Sequence, residues 1–169
     1  RMNIPSLLRA ARSSRITRWW LNAALDRAIP FNHPHGFRVV PQKHRGIRVD
    51  IPFLPVNCNH IKSLHACCLA TAVEYCSGLA LIEHLDAKNY RIIMKSLHME
   101  YHYQGKTSAH AVFAPSSEDI DRHILQFLQT EESVLYTAEV PIHDRHGNLL
   151  ATGAVTWQVK DWSRVRTKT

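Results

Sequence analysis

Residues 59–79, NHIKSLHACCLATAVEYCSGL, form an almost wholly apolar stretch interrupted by one carboxylate, Glu74. A helix that is apolar on every side has to be buried on every side, so the rest of the chain must wrap it. The run from Ala66 to Ile82 is short of the ~20 residues a bilayer span needs and carries an acid near its centre, which favours a buried helix of a soluble protein. An unpaired charge in such a helix is costly, so Glu74 must be neutralised, paired or used. Function is therefore sought there first.

A chain of 169 residues suits a single core. Before the apolar stretch, a helix is expected over residues 4–28 with a break near Ser13 and Ser14, ended by Pro30 and the following FNHPHG. From Phe37 the period changes to two, and 37–41 and 46–53 read as strands around a turn at Lys43 to Gly46. Pro52 and Pro55 then break the ladder. Past the central helix, 90–103 alternates as a strand, with 107–114 expected as its antiparallel partner. Ser116 or Ser117 caps a short helix whose apolar side is Ile120, Ile124, Leu125, Phe127 and Leu128. Strands at 133–143 and 148–160 flank the turn HDRHGN. Antiparallel sheet wrapped around one helix is the economical way to bury it.

The basic excess is entirely N-terminal: residues 1–50 hold ten Lys or Arg against Asp26 and Asp50. Arg9, Arg12, Arg15 and Arg18 alternate with Leu7, Leu8, Trp19, Trp20, Leu21 and Leu25, a pattern open to a membrane surface or to nucleic acid. The arginines step round the cylinder, which favours a helix covering the core over one lying on a membrane. No recognition-helix, zinc-finger or aromatic RNA-binding signature supports nucleic acid. Arg1 ahead of Met2 reads as an added residue, and no secretory signal is expected because arginines interrupt the apolar run. Cys58, Cys67, Cys68 and Cys76 lack CxxC spacing and are expected reduced in the core, consistent with a cytoplasmic location. His98, Glu100 and His102 share a strand face, but with twelve histidines in the chain no metal site is expected.

Asn59, then His65 six residues on, then Glu74 nine residues further follow the pattern of one family, and Asp144, Gly147 and Ala151 match its last hairpin. On these residues the chain resembles the hotdog-fold acyl-CoA thioesterases, in particular those of the phenylacetate-pathway type and their uncharacterised relatives. The resemblance implies an α+β fold in which an antiparallel sheet wraps a long central helix, here with an extra N-terminal helix. It divides the chain into an amphipathic helical extension (1–29), a hotdog domain (30–162) and a tail (163–169). The family commonly has Gly where Lys62 stands and Gly-Gly where Ala66 and Cys67 stand. A Ser or Thr often assists from the next strand, where this chain has Tyr101, His102, Tyr103 and Gln104.

The implied reaction is hydrolysis of an acyl-CoA thioester with no metal or organic cofactor. Free backbone N–H groups at Ala66 and Cys67, backed by the helix dipole, suit the oxygen that becomes negative, with Tyr103 beside them. Glu74, whose apolar surroundings raise its pKa, suits a general base or nucleophile. Nine residues turn a helix by about 900°, so His65 and Glu74 face opposite sides and lie ~13 Å apart. The resemblance implies the solution: a homodimer, with a dimer of dimers left open, in which Asn59 and the helix start of one subunit meet Glu74 of the other. Each residue also has a plainer role: Asn59 as a helix cap, His65 as a hydrogen-bonded core histidine, Glu74 as a structural acid. The alternatives to thioesterase are a non-catalytic acyl-thioester binding or scaffold protein and, ranked lower, a hydratase or dehydratase.

Overall fold

The computed structural model of the chain describes residues 3–165. Arg1, Met2 and the last four residues of the expected tail lie outside the described residues. The N-terminal extension is two helices, α1 (Ile4–Ala11) and α2 (Arg15–Ala28). The break falls where it was expected because the Ser14 side chain accepts the Thr17 N–H at 3.1 Å and starts a helix of its own.

The remaining elements are β1 (Arg38–Pro41), β2 (Ile47–Ile51), α3 (Ala66–His84), β3 (Tyr90–Tyr101), β4 (Ala109–Phe113), β5 (Ser133–Asp144) and β6 (Leu149–Asp161). Between β4 and β5, α4 (Ser117–Ile120) runs through a π turn at Asp121–Leu125 into α5 (Phe127–Thr130). Ser116 is its cap, and Ile120, Ile124 and Leu128 are buried as expected, but Phe127 points outward and is exposed.

The six strands form one antiparallel sheet in the order β1-β2-β4-β5-β6-β3. It curls around α3, which touches β2, β3, β4, β5 and β6. This is the hotdog arrangement. Leu69, Ala72, Val73, Cys76, Leu79 and Ala80 of α3 are buried against the sheet. The close fit depends on Gly153 of β6, where an added Cβ would lie 2.4 Å from a Val73 methyl and 2.8 Å from the Met99 sulfur. Cys76 donates its thiol to the Ile47 carbonyl at 3.2 Å, a further tie between helix and sheet.

One expected pairing is corrected. β3 pairs along its whole length with β6, and β4 lies between β2 and β5. The connection after β3 does not turn back: Gly105 crosses over the start of α3, where its carbonyl accepts the Leu64 N–H at 2.7 Å. That crossing carries the chain to the far part of the sheet.

The two sheet edges differ. At β1, the Asn22 side chain of α2 accepts the Val39 N–H at 2.7 Å and donates to the Val39 carbonyl at 3.0 Å, covering the edge as a strand would. The outer edge of β3 has no strand partner among the described residues, and Ile93 and Met94 on it are exposed. The cysteines are free, and the buried Cys68 thiol is pushed up to about 12 by burial first. Contrary to the expectation of four core cysteines, Cys67 is exposed and Cys58 half-buried, because Cys67 faces away from the sheet at the helix start.

Candidate active site at the start of the central helix

The loop from Pro52 to His65 positions the site, and its anchor is a residue that sequence reasoning passed over. Asn57 is fully buried. Its amide donates to the carbonyls of His35 (2.8 Å) and Pro52 (2.9 Å), and its Oδ1 faces Nδ1 of His35 at 2.8 Å. Since both amide hydrogens go to carbonyls, Oδ1 accepts and His35 carries its proton on Nδ1. The Asn57 carbonyl then takes the His65 N–H at 2.8 Å, which sets where α3 begins. The only available signal was an Asn between prolines and a helix start, which many turns share.

Asn59 does not cap the helix. Its Oδ1 accepts the N–H groups of Ile61 and Ser63, each at 3.1 Å, closing a small loop. Lys62 inside that loop has φ 56°, the left-handed region. This gives a physical reason for the glycine that the resemblance places there. The amide nitrogen of Asn59 has no partner among the described residues and remains a donor.

The cap is His65, whose Nδ1 accepts the Cys67 N–H at 3.0 Å. The ring therefore carries its proton on Nε2 when it caps, and the Cys67 amide is already taken. The Ala66 and Cys68 N–H groups have no partner among the described residues, and no acid stands in the first turn. A helix start of this kind attracts a developing negative charge. Of the two expected donors, Ala66 is open and Cys67 is engaged. The tyrosine at this helix start is Tyr101, which donates its hydroxyl to the Ala66 carbonyl at 3.0 Å. Tyr103 instead lines a neighbouring depression with His102, Lys106 and Asp144.

Glu74 lies two turns further along. Cys67, Ala70, Thr71 and Glu74 form one stripe at i, i+3, i+4 and i+7, exposed or half-buried and uncovered by the chain's own sheet. The Glu74 carboxyl has no hydrogen-bond partner among the described residues, and burial raises its pKa. Ser77 and Gly78, small residues one turn further on, leave no room beside it. Trp157 fills that space, donating its indole N–H to Ser77 Oγ at 3.1 Å and lying 3.0 Å from where a Gly78 Cβ would be. Within one chain, His65 and Glu74 stay on different sides of the helix.

A second acid on α3 escaped the sequence reading, which ended the helix too early. Glu83 is buried and pairs with Arg12, whose Nε also donates to the Gln42 carbonyl at 2.8 Å. Next to it, burial and then Arg45 lower the His84 pKa to about 4. Both line a cavity of about 1030 Å³ at the C-terminal end of α3, far along the helix from Ala66. Glu83 is thus a structural acid, docking the N-terminal helices, while Glu74 is left unpaired. Among the described residues no group of three His, Cys, Asp or Glu is placed to hold a metal, and His98 and Glu100 approach only to 3.8 Å on exposed surface.

A sequence model of one family, described as a domain of unknown function and numbered DUF4442, matches residues 17–159. No curated protein matches the chain. Among solved structures, the chain superposes on a protein of unknown function from Pseudomonas aeruginosa described as a probable thioesterase, with TM-score 0.74 and 23 % identity over 80 % of this chain and 90 % of that one. A Shewanella oneidensis protein, provisionally named a thioesterase, gives TM-score 0.67 and 14 % identity over 90 % and 96 % of the two chains. A thioesterase from Haemophilus influenzae gives TM-score 0.64 and 11 % identity over 81 % and 88 %. At such identities these are likenesses of fold.

Proposed function

The chain belongs to the DUF4442 family, and from that premise and the site at the start of α3 we propose that it is a thioesterase that hydrolyses acyl-CoA at a site shared by two copies of the chain. One observation carries the reading: an unpartnered, half-buried Glu74 with a raised pKa lies on the uncovered stripe that begins at the open helix start. The hotdog thioesterases that the chain resembles in fold agree with it.

The edges of the sheet support pairing of two copies through β3. Asn22 blocks the β1 edge, while the twelve-residue β3 pairs with β6 on one side only and its outer edge has no strand partner among the described residues. The Tyr101 end of β3 lies against the start of α3, so a second copy added at that edge brings its own α3 beside the uncovered stripe. Glu74 of the partner subunit then reaches the Ala66 N–H that its own helix cannot offer it.

In this reading the thioester oxygen sits on the Ala66 N–H, with the Asn59 amide nitrogen as a second donor. Glu74 of the partner subunit takes a proton from water as its oxygen bonds to the carbonyl carbon. The carbon–sulfur bond then breaks, giving the free acid, and the proton passes to the leaving CoA thiolate. His65 acts on position: it holds the Cys67 amide and keeps the helix start in register. Lys62, in the loop before α3, and Lys106, next to the Gly105 that meets Leu64 at the helix start, are the lysines placed to hold CoA phosphates.

The test is CoA release across a panel of acyl-CoA chain lengths by the wild type and Glu74→Gln, with the oligomeric state measured alongside. Hydrolysis by the wild type that Glu74→Gln abolishes in an intact dimer supports the reading. Equal rates in both remove Glu74 from the reaction. Acyl-CoA binding with no turnover by the wild type favours the second reading, a non-catalytic acyl-thioester binder, which the engagement of the Cys67 amide by His65 favours.

A further inference from the structure

Leu21, Asn22 and Leu25 form the buried side of α2, which leaves Ile16, Trp19, Trp20, Ala23 and Arg27 on the side that points away from the fold. Ile16 is 74 % exposed, Trp19 63 % and Trp20 60 %, and Phe31, just past the helix, is 71 % exposed. Ile16 and Phe31 are the two most exposed large apolar residues among those described. The two indoles pack edge to face with centroids 4.7 Å apart, forming a ridge. The expectation that this helix serves only to cover the core accounts for its inner side and leaves the outer one unexplained.

The charge around the ridge is predominantly positive. Arg15, Arg27 and Arg38 are exposed beside it, and the acid nearest in the sequence, Asp26, already faces Arg38 at 3.6 Å. Arg15, Arg18, Trp19 and Arg38, with Asp26 as the one acid, line a groove of about 480 Å³ between α2 and β1. Indole rings favour the layer between headgroups and acyl chains, and guanidinium groups bind lipid phosphates as forks. A second copy docked symmetrically on this face would set arginine against arginine, which disfavours self-pairing there.

We propose that the outer face of α2 is a docking surface for an anionic lipid bilayer, with Trp19 and Trp20 entering the headgroup layer and Arg15, Arg27 and Arg38 on the phosphates. The binding is peripheral, since α2 keeps its inner side on the fold. It stands independently of the reaction proposed above.

The experiment is flotation of the purified full chain with vesicles of phosphatidylcholine alone or with about 30 % phosphatidylglycerol. The protein is expected to float with the anionic vesicles and to be released at about 0.5 M salt. Trp19→Ser with Trp20→Ser should lower the partition coefficient about tenfold or more, the residues being large and otherwise exposed. Arg15→Gln with Arg27→Gln should lower it about 25-fold, roughly fivefold per charge. Unchanged circular dichroism and thermal unfolding of the variants ties these losses to the surface. Failure of the wild type to float with anionic vesicles overturns the proposal, as does equal flotation of the tryptophan variant. A smaller particle in light scattering for the tryptophan variant, without vesicle binding by the wild type, also overturns it and assigns the face to contact between copies.

Discussion

Nδ1 of His65 accepts the Cys67 N–H at 3.0 Å, so the residue that opens the central helix also occupies one of its free donors. A histidine is an unusual cap, and its ring is exposed enough to be replaced without emptying a core. His65→Ala should lower stability by about 1 kcal/mol in urea denaturation, and His65→Asn, a better cap, should restore it. If His65→Ala unfolds at the wild-type midpoint, the hydrogen bond carries no weight in the fold.

Glu74→Gln should lower kcat/KM by about 10² to 10⁴, the usual worth of a positioned general base. The wild-type rate should fall on the acid side with a midpoint above the ordinary glutamate range, because burial raises the carboxyl's pKa and a base must be ionised to act. An acid limb at the ordinary glutamate value would sink the assignment.

The same shift has a consequence for stability. The folded state holds the Glu74 proton more tightly than the unfolded state does, so this contribution is whole below the unfolded pKa and is lost as pH rises through the raised folded value. Glu74→Gln should therefore unfold at a higher temperature than the wild type at pH 7 and at nearly the same temperature once both are acidified below the glutamate range. A thermal shift series against pH reads this directly.

Arg12 and Glu83 set the docking of the N-terminal helices. The Glu83 side chain is fully buried and its Oε2 has no partner, so Arg12→Ala strands a buried charge. It should cost about 3 kcal/mol, whereas Arg12→Ala combined with Glu83→Leu should recover most of that loss. Denaturant titration of the single and double variants separates the two. Equal losses would mean that the pair matters only through packing.

At two backbone positions glycine should be more stable than a side chain, though the chain has glycine at only one of them. Lys62 has φ 56°, so Lys62→Gly should stabilise the chain by about 1 kcal/mol. Gly153→Ala should destabilise it by about 1–3 kcal/mol, because Val73 cannot move away from the new methyl without lifting α3 off the sheet. Melting temperatures of the two variants on opposite sides of the wild type are the expected result.

Much of the architecture was legible because it rests on local pattern. The period-two segments at 37–41, 46–53, 133–143 and 148–160 became strands within a residue or two at most ends, since alternation is a property of neighbours. Pairing was not local. Whether β3 returned on β4 or reached β6 was decided by Gly105 touching Leu64 across forty residues, and nothing near β3 announces that contact. The site divided in the same way. The spacing of Asn59, His65 and Glu74 was readable, but the partners of their side chains were not. Asn59 proved to tie a loop, His65 to cap the helix, and Asn57 and Tyr101 to be the residues behind and beside the helix start.

What the chain's sequence determined alone was the need for a wrapped helix, because an apolar segment of that length carries the same cost in water whatever surrounds it. It also placed a single acid in the middle of that helix. Which acid would be neutralised was a tertiary decision. Arg12 reaches Glu83 only because α1 and α2 fold back on the end of α3, and Glu74 stays unpaired because Trp157 fills the space beyond it while the stripe from Cys67 to Glu74 is left outside the sheet. Burial and pairing depend on groups distant in the chain meeting in space, and only the closed fold brings them together.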